Sequence, residues 1–145
     1  MAKFVVDCGV VLKLARDDVD VATKHTLLAP TLLRSQALSV LHEAVHRGEI
    51  APDAAREQLA RVRAIKIRLF GDAVLQRRAW EIADELGWTG TYDAEYIALT
   101  QLQADAFVTL DKDLARQVEG VVPTATINAL RSSSETDSTV TRCRS

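Results

Sequence analysis

The sequence predicts an α/β fold in three layers, with a central, mostly parallel sheet between two layers of helices. Short apolar, β-branched segments alternate with longer segments whose apolar residues recur at helical spacing. Such a sheet is buried on both faces, and a hydrophobic share of 48% over 145 residues is enough to fill one core. We therefore expect one domain over residues 1–131, followed by a polar, disordered tail over residues 132–145.

The predicted strands share a short apolar run that stops at a turn residue or at an acid. They cover residues 3–6, 26–29 and 106–110, with an edge strand at Val121 and Val122 and a closing segment at 125–130. The first run ends at Asp7, the second at Pro30 and the third at Asp111. Two of the three main strands are thus followed directly by a carboxylate.

The predicted helices carry apolar residues three and four positions apart and begin or end at capping residues. They cover residues 10–16, 31–47, 52–64, 72–86, 92–103 and 113–118. Gly48 stands where the long second helix needs a C-terminal cap, and Thr91 is expected to cap the helix that starts at Tyr92. Trp80 falls in an apolar helical pattern, which favours core packing over base stacking, whereas base stacking stays open for Trp88.

The formal net charge of −2 gives the protein no overall attraction for nucleic acid, so such a partner needs local basic patches or bound metal ions. One basic cluster in the middle of the chain is a candidate for contacts with RNA phosphates: Arg61, Arg63, Lys66 and Arg68. The alternative for these four residues is a solvated helix surface. No leader pattern and no apolar run of membrane-spanning length occur, so we expect a cytoplasmic protein without membrane contact.

Three aspartates, Asp7, Asp93 and Asp111, are candidates for one metal site. Asp7 and Asp111 follow strands, and the carboxyl ends of parallel strands meet at one edge of a sheet. Asp93 lies in a first helical turn beside the apolar stripe. Like charges about 4 Å apart repel by roughly 4 kcal/mol at an intermediate dielectric, so neighbouring carboxylates need a cation or a shared proton. Mg²⁺ or Mn²⁺ fits this need, although each aspartate alone is also explained as a helix cap or a helix-dipole partner.

Five short segments keep an order and spacing that together are specific: FVVD at 4–7, APTLL at 29–33, HRGEI at 46–50, TYDAEY at 91–96 and VTLDK at 108–112. Through them the chain resembles the PIN-domain family, in particular the VapC-type toxins of bacterial toxin–antitoxin pairs, from Lys3 to about Leu130. The resemblance implies a PIN-like α/β/α fold whose acids bind Mg²⁺ or Mn²⁺ and hydrolyse single-stranded or looped RNA.

The resemblance also assigns roles to residues of the candidate site. The family's first, third and fourth acids match Asp7, Asp93 and Asp111, and Thr109 matches the hydroxyl residue that accompanies the last acid. The second acid, a Glu in a Leu-Leu-x-x-Glu context, matches Gln36. Because glutamine keeps one coordinating oxygen but carries no charge, we expect a weakened metal site and not an abolished one.

Two further acids, Glu95 and Asp113, lie close in sequence to matched acids and are candidates to enlarge the charged cluster, with an exposed helix surface as the alternative. The resemblance further implies an RNA substrate, a VapB-like antitoxin as partner, and a homodimer.

Two other functions compete with the metal-dependent ribonuclease. A chain without the second acid could be an inactive scaffold that binds RNA or a protein. A phosphatase with an aspartyl nucleophile is disfavoured because Gly9 stands where such enzymes place a second aspartate.

Overall fold

The computed structural model describes residues 2–131, so the predicted tail at 132–145 lies outside the described residues. Within them the chain forms a five-stranded sheet whose neighbouring strands are all parallel, in the order β3-β2-β1-β4-β5. The strands are β1 (Lys3–Val6), β2 (Thr26–Pro30), β3 (Ile67–Phe70), β4 (Ala106–Val108) and β5 (Thr124–Ala125). The predicted α/β fold with a mostly parallel sheet is confirmed.

Six α-helices connect these strands in the described part of the chain, and a 3-10 helix follows β5 at Ile127–Leu130. The helices are α1 (Cys8–Arg16), α2 (Leu32–His46), α3 (Pro52–Ala64), α4 (Ala73–Leu86), α5 (Tyr92–Gln103) and α6 (Lys112–Gln117). Helix α1 packs against α3 and α2, whereas α5 packs against α4 and covers β1, β2 and β4. The core between the layers consists of fully buried aliphatic and aromatic side chains, with Val5, Ile97 and Phe107 among them.

The strand order places a topological switch point between β1 and β4. The chain steps from β1 to β2 to β3 in one direction and then crosses to β4 on the other side of β1. Because parallel crossovers are right-handed, this reversal moves the connecting helices to the opposite face of the sheet. A crevice therefore opens at the carboxyl ends of β1 and β4, where ligands bind in open α/β sheets.

The last edge strand lies three residues later than the sequence predicts. The backbone N–H groups of Val121 and Val122 both donate to the carbonyl oxygen of Val118, so these residues form a turn and not a strand. Pairing with β4 begins where Phe107 donates its N–H to the carbonyl oxygen of Pro123. The prediction of a strand at Val121 and Val122 is wrong, because two adjacent β-branched residues suggest a strand although here they belong to the turn that follows α6.

Strand β3 was not predicted, because its four residues, IRLF, include an exposed arginine and its apolar side chains are only partly buried. An edge strand of this kind has one row of backbone groups without a strand neighbour and gives a weak periodic signal. Part of the basic cluster that we assigned to RNA contacts is therefore strand.

The prediction for Trp80 is wrong, and the prediction for Thr91 is confirmed for its N-cap position but not for its side chain. Trp80 is 66% exposed and lies outside the buried stripe of α4, which consists of Leu75, Ala79, Ile82 and Ala83. Thr91 makes no side-chain capping bond; its carbonyl oxygen instead accepts from the N–H of Glu95. Gly48, by contrast, has the positive φ of +76° that a C-terminal cap after α2 requires. No helix among residues 2–131 is long and apolar enough to cross a membrane.

Candidate active site

The hydroxyl of Thr109 joins two of the predicted acids at the switch point. Asp7 follows β1, and Thr109 and Asp111 follow β4, which is the neighbour of β1. The Thr109 Oγ1 donates to Asp7 Oδ2 at 2.5 Å and accepts from the backbone N–H of Asp111 at 3.1 Å. The residue that the resemblance pairs with the last acid thus holds both strand ends together.

Asp7 and Asp111 are also helix caps. The alternative interpretation of each residue as an N-cap is therefore confirmed, and it does not exclude a role in the crevice. Oδ1 of Asp7 accepts from Val10 N at 3.0 Å, and Oδ1 of Asp111 accepts from Leu114 N at 3.0 Å. These bonds fix the first turns of α1 and α6. They leave the second oxygen of each carboxyl group to face other partners, and in Asp7 that oxygen meets Thr109.

The charge of Asp111 acts on both Asp7 and Asp93, and the charge of Asp93 acts on Asp7. Burial raises the pKa of Asp7 above its ordinary value; the bonds from Thr109 and Val10 oppose this effect, and the charges of Asp93 and Asp111 add to it. Burial and then the charge of Asp111 raise the pKa of Asp93. The three acids therefore share one crevice, although they come from β1, α5 and β4.

The donor chemistry of this crevice fits a hard cation. Carboxylate oxygens that raise one another's pKa are stabilised when a divalent ion compensates their repulsion. As the side chains stand, however, residues 2–131 contain no group of three His, Cys, Asp or Glu residues gathered closely enough to enclose a metal ion. Part of the reason is that Asp7 and Asp111 each commit one oxygen to a helix cap.

Gln36 also reaches the crevice, through Tyr96. The phenol of Tyr96 donates to Gln36 Oε1 at 2.6 Å, although the two residues are 60 positions apart. Burial raises the pKa of Tyr96, and the negative charges of Asp7 and Asp93 add to the effect, so the phenol keeps its proton. This role of Tyr96 could not be predicted from the sequence, because the residue lies in the apolar stripe of its helix, and it is 2% exposed.

Cys8 is a poor nucleophile in this setting. Burial, and then the charge of Asp7, raise the pKa of its thiol to about 11. Since the thiolate is the reactive form, almost all of the residue stays protonated at neutral pH.

The remaining candidates are distributed around this centre. Burial raises the pKa of Glu95, whose charge also acts on Tyr96. Asp113 is exposed and forms an ion pair with Arg116 one turn along α6. Glu95 thus borders the crevice, whereas the carboxylate of Asp113 has a partner on the helix surface.

The basic cluster lies away from the crevice. Arg61 on α3 pairs with Glu57 at 2.7 Å, and the guanidinium of Arg68 lies over the ring of Phe70 at 5.6 Å. Lys66 directly precedes β3, so in an all-parallel sheet it lies at the end opposite to Asp7. The structure does not bring this cluster together with the three acids, and its contact with RNA stays a prediction.

Comparison with known proteins supports the fold. No protein-family model and no curated protein matches the chain. Among solved structures, the chain is similar to PAE2754 from Pyrobaculum aerophilum, with 23% identity, coverage of 88% of this chain and 92% of that chain, and a TM-score of 0.68. VapBC2 from Rickettsia felis, bound to a DNA fragment from their promoter, matches with 10% identity, 86% and 98% coverage and a TM-score of 0.63.

A third structure, VapBC-1 from nontypeable Haemophilus influenzae, matches with 10% identity, 87% and 98% coverage and a TM-score of 0.59. At these identities the similarity is one of fold. The chain has the PIN-like α/β/α architecture, with acidic residues at its topological switch point.

Proposed function

We propose that the chain is a divalent-metal-dependent endoribonuclease that hydrolyses RNA phosphodiester bonds and acts as the toxin of a toxin–antitoxin pair. The observation that carries the proposal is the crevice between β1 and β4, where Thr109 joins Asp7 to the backbone of Asp111 and the charge of Asp111 acts on Asp7 and Asp93. The similarity of the fold to structures named VapBC supports the toxin assignment.

In this proposal Asp7, Asp93 and Asp111 hold Mg²⁺ or Mn²⁺. The bound ion would polarise the scissile phosphate and lower the pKa of a water molecule. The chain's own residues orient the site: Val10 N–H and the Thr109 hydroxyl fix the Asp7 carboxylate, and Leu114 N–H fixes that of Asp111. The protonated thiol of Cys8 is unsuited to act as a covalent nucleophile.

Gln36 limits the strength of this site. Its carbonyl oxygen, the one atom with which glutamine coordinates a metal, accepts the Tyr96 phenol. The three aspartates would therefore bind the ion without a fourth charge. Mg²⁺ needs few protein carboxylates when water and substrate phosphate complete its shell, so activity is expected to be weak and not absent.

The test is cleavage of a mixed RNA pool with Mn²⁺ by the native chain and by matched variants. We expect the native chain to cleave RNA. The cleavage rate of Asp7→Asn should be about tenfold to a hundredfold lower, and that of Gln36→Glu should be higher. Asp72→Asn is the control, because Asp72 caps α4 through a bond from Leu75 N at 2.9 Å, as Asp7 caps α1. Equal losses of RNA cleavage in Asp7→Asn and Asp72→Asn would show that Asp7 acts only as a helix cap.

The second candidate function is a PIN-like scaffold that binds RNA or a protein without cutting. It is favoured by the bond between Tyr96 and Gln36 Oε1 and by the open arrangement of the described acids. Absence of cleavage by both the native chain and Gln36→Glu at saturating Mn²⁺ would establish this alternative over the nuclease.

The proposed partner is a small VapB-like antitoxin that covers the acidic crevice. An open groove of ≈ 620 Å³ between α2, α3 and β3 offers it apolar contacts, with Leu38 among the lining residues, and a rim that carries Arg34 and Arg63. A partner segment with apolar and acidic residues would complement this groove. Co-expression of the chain with such an antitoxin should give a complex in which RNA cleavage is suppressed. Light scattering of the toxin alone measures its mass and thereby tests the homodimer.

A further inference from the structure

A second cavity is lined by one of the three acids, Asp93. It has a volume of ≈ 850 Å³, and Gln36 and Asp93 lie in its wall. The rest of the wall is formed by the loop between α4 and α5, by Tyr92 at the start of α5, and by Gln117 at the end of α6. Whatever occupies this cavity lies next to the proposed cleavage site.

The wall of the cavity is suited neither to a phosphate nor to an apolar chain. None of the described residues that line it is Lys or Arg, and Asp93 would repel an anion. The wall contains two glutamines and two threonines, so it is too polar for an aliphatic group. A flat, uncharged, hydrogen-bonding group matches these properties.

The two glutamines present amide donors to the cavity. The indole N–H of Trp88 donates to Gln117 Oε1 at 2.9 Å, and because an indole N–H can only donate, it fixes the orientation of the amide. The phenol of Tyr96 donates to Gln36 Oε1 at 2.6 Å, so this amide also presents its oxygen to the protein. Within residues 2–131 no hydrogen bond engages the Nε2 group of either glutamine. Both NH₂ groups are therefore left as donors.

Tyr92 adds an aromatic surface. Its side chain is 63% exposed, whereas Tyr96, one turn later in the same helix, is buried. An exposed ring in the wall of a polar cavity is suited to stack with a nucleobase, because every base has a π face.

We propose that this cavity is the subsite for an unpaired nucleobase beside the scissile phosphate, and that it prefers a keto base, uracil or guanine, over adenine. The inference rests on the proposed function and adds its substrate preference. The exocyclic carbonyl oxygens of uracil and guanine accept from the amide groups of Gln36 and Gln117, whereas adenine carries an amino donor in place of such a carbonyl and accepts only through its ring nitrogens.

The experiment is equilibrium binding of fluorescein-labelled RNA pentamers, oligo(U) and oligo(A), measured by anisotropy in EDTA so that no cleavage occurs. We expect oligo(U) to bind on the order of three- to tenfold more tightly than oligo(A). Tyr92→Ala should weaken both by about tenfold, while Tyr92→Phe, which keeps the ring, should weaken neither.

Gln117→Glu tests the donor groups. The new carboxylate still accepts the Trp88 N–H, so the fold is preserved. It offers no donor, and its charge repels a carbonyl oxygen and attracts an amino group, which offsets the donor that Gln36 retains, so the preference for oligo(U) should disappear. Gln76→Glu is the matched control, since it adds the same charge on the exposed surface of α4 roughly 15 Å along the helix from the cavity.

Two outcomes would overturn the subsite: equal affinity for both pentamers, or a preference that survives Gln117→Glu. Either result could accompany normal RNA cleavage, which would leave the proposed nuclease intact. Conversely, a preference for oligo(U) that Gln117→Glu abolishes supports the subsite even if no RNA is cut, and then assigns it to the RNA-binding scaffold.

Discussion

Three aspartates of this chain cap helices in the same way, and yet only two of them belong to the crevice. Asp7, Asp72 and Asp111 each accept from the N–H three residues later, at 3.0, 2.9 and 3.0 Å. What separates Asp7 from Asp72 is burial and the charges of Asp93 and Asp111. A capping pattern in the sequence therefore does not decide whether a carboxylate is structural or functional.

The first prediction concerns Asp7→Asn in EDTA. Because the folded-state pKa of Asp7 is raised, its ionisation costs folding free energy as pH rises from its ordinary value through the raised one. Asparagine caps helices equally well and does not ionise, so the variant should have a higher free energy of unfolding than the native chain at pH 7. Urea denaturation between pH 4 and pH 8 measures this difference.

Asp72→Asn provides the comparison for this experiment, because it removes a charge from a cap at an exposed position. Its unfolding free energy should stay within about 0.5 kcal/mol of the native value. A stabilisation of the same size in both variants would show that the helix caps, and not the crevice, set the result.

The second prediction concerns Thr109, whose hydroxyl serves both Asp7 and the backbone of Asp111. Thr109→Val removes the donor and the acceptor together and should lower the free energy of unfolding by about 1–3 kcal/mol. Thr109→Ser keeps the hydroxyl and should retain most of both bonds. If urea denaturation gives the two variants equal losses, the methyl group and not the hydroxyl accounts for the effect.

At the scale of elements, the long helices and the buried strands could be predicted, and the edges of the sheet could not. Helix α2 has apolar residues at regular spacing and a glycine cap, so the local sequence pattern predicts the same helix and the same buried face that the fold contains. Strand β3 is a partly buried edge, and β5 is two residues long. Their pairing is decided by neighbours distant in sequence, which a local pattern does not contain.

The third prediction concerns the exposed side chain of Trp80. This side chain is exposed on α4, whereas Ile82 on the same helix is 1% exposed. Trp80→Gln should therefore change the free energy of unfolding by less than about 0.5 kcal/mol, and Ile82→Ala should lower it by about 2–5 kcal/mol. A large loss in Trp80→Gln, measured by urea denaturation, would mean that this surface is covered in solution.

At the scale of the whole molecule, the sequence allowed us to predict the acidic residues of the crevice but not the residues that form hydrogen bonds around it. Asp7 and Asp111 stand at strand ends, where the topology of a parallel sheet brings them together. The bonds from Tyr96 to Gln36 and from Trp88 to Gln117 join residues 60 and 29 positions apart. No spacing rule connects such pairs, and only the folded arrangement reveals them.

The fourth prediction links metal binding to the stability of the entire domain. A cation that binds the folded chain at a hundredfold excess over its dissociation constant should stabilise it by about 2.7 kcal/mol. Thermal unfolding with increasing Mn²⁺ should therefore raise the Tm of the native chain and leave that of Asp7→Asn unchanged. An equal rise in both would place the bound ion elsewhere.

The position of β4 has a consequence for synthesis of the chain. Thr109 and Asp111 follow that strand, and β1 completes its pairing when β4 docks beside it. A nascent polypeptide that has emerged only as far as α5 thus has Asp7 and Asp93 but neither the hydroxyl that joins the strand ends nor the last carboxylate. Nearly all of the described residues must therefore be translated before Asp7, Asp93 and Asp111 can come together at the ends of β1 and β4.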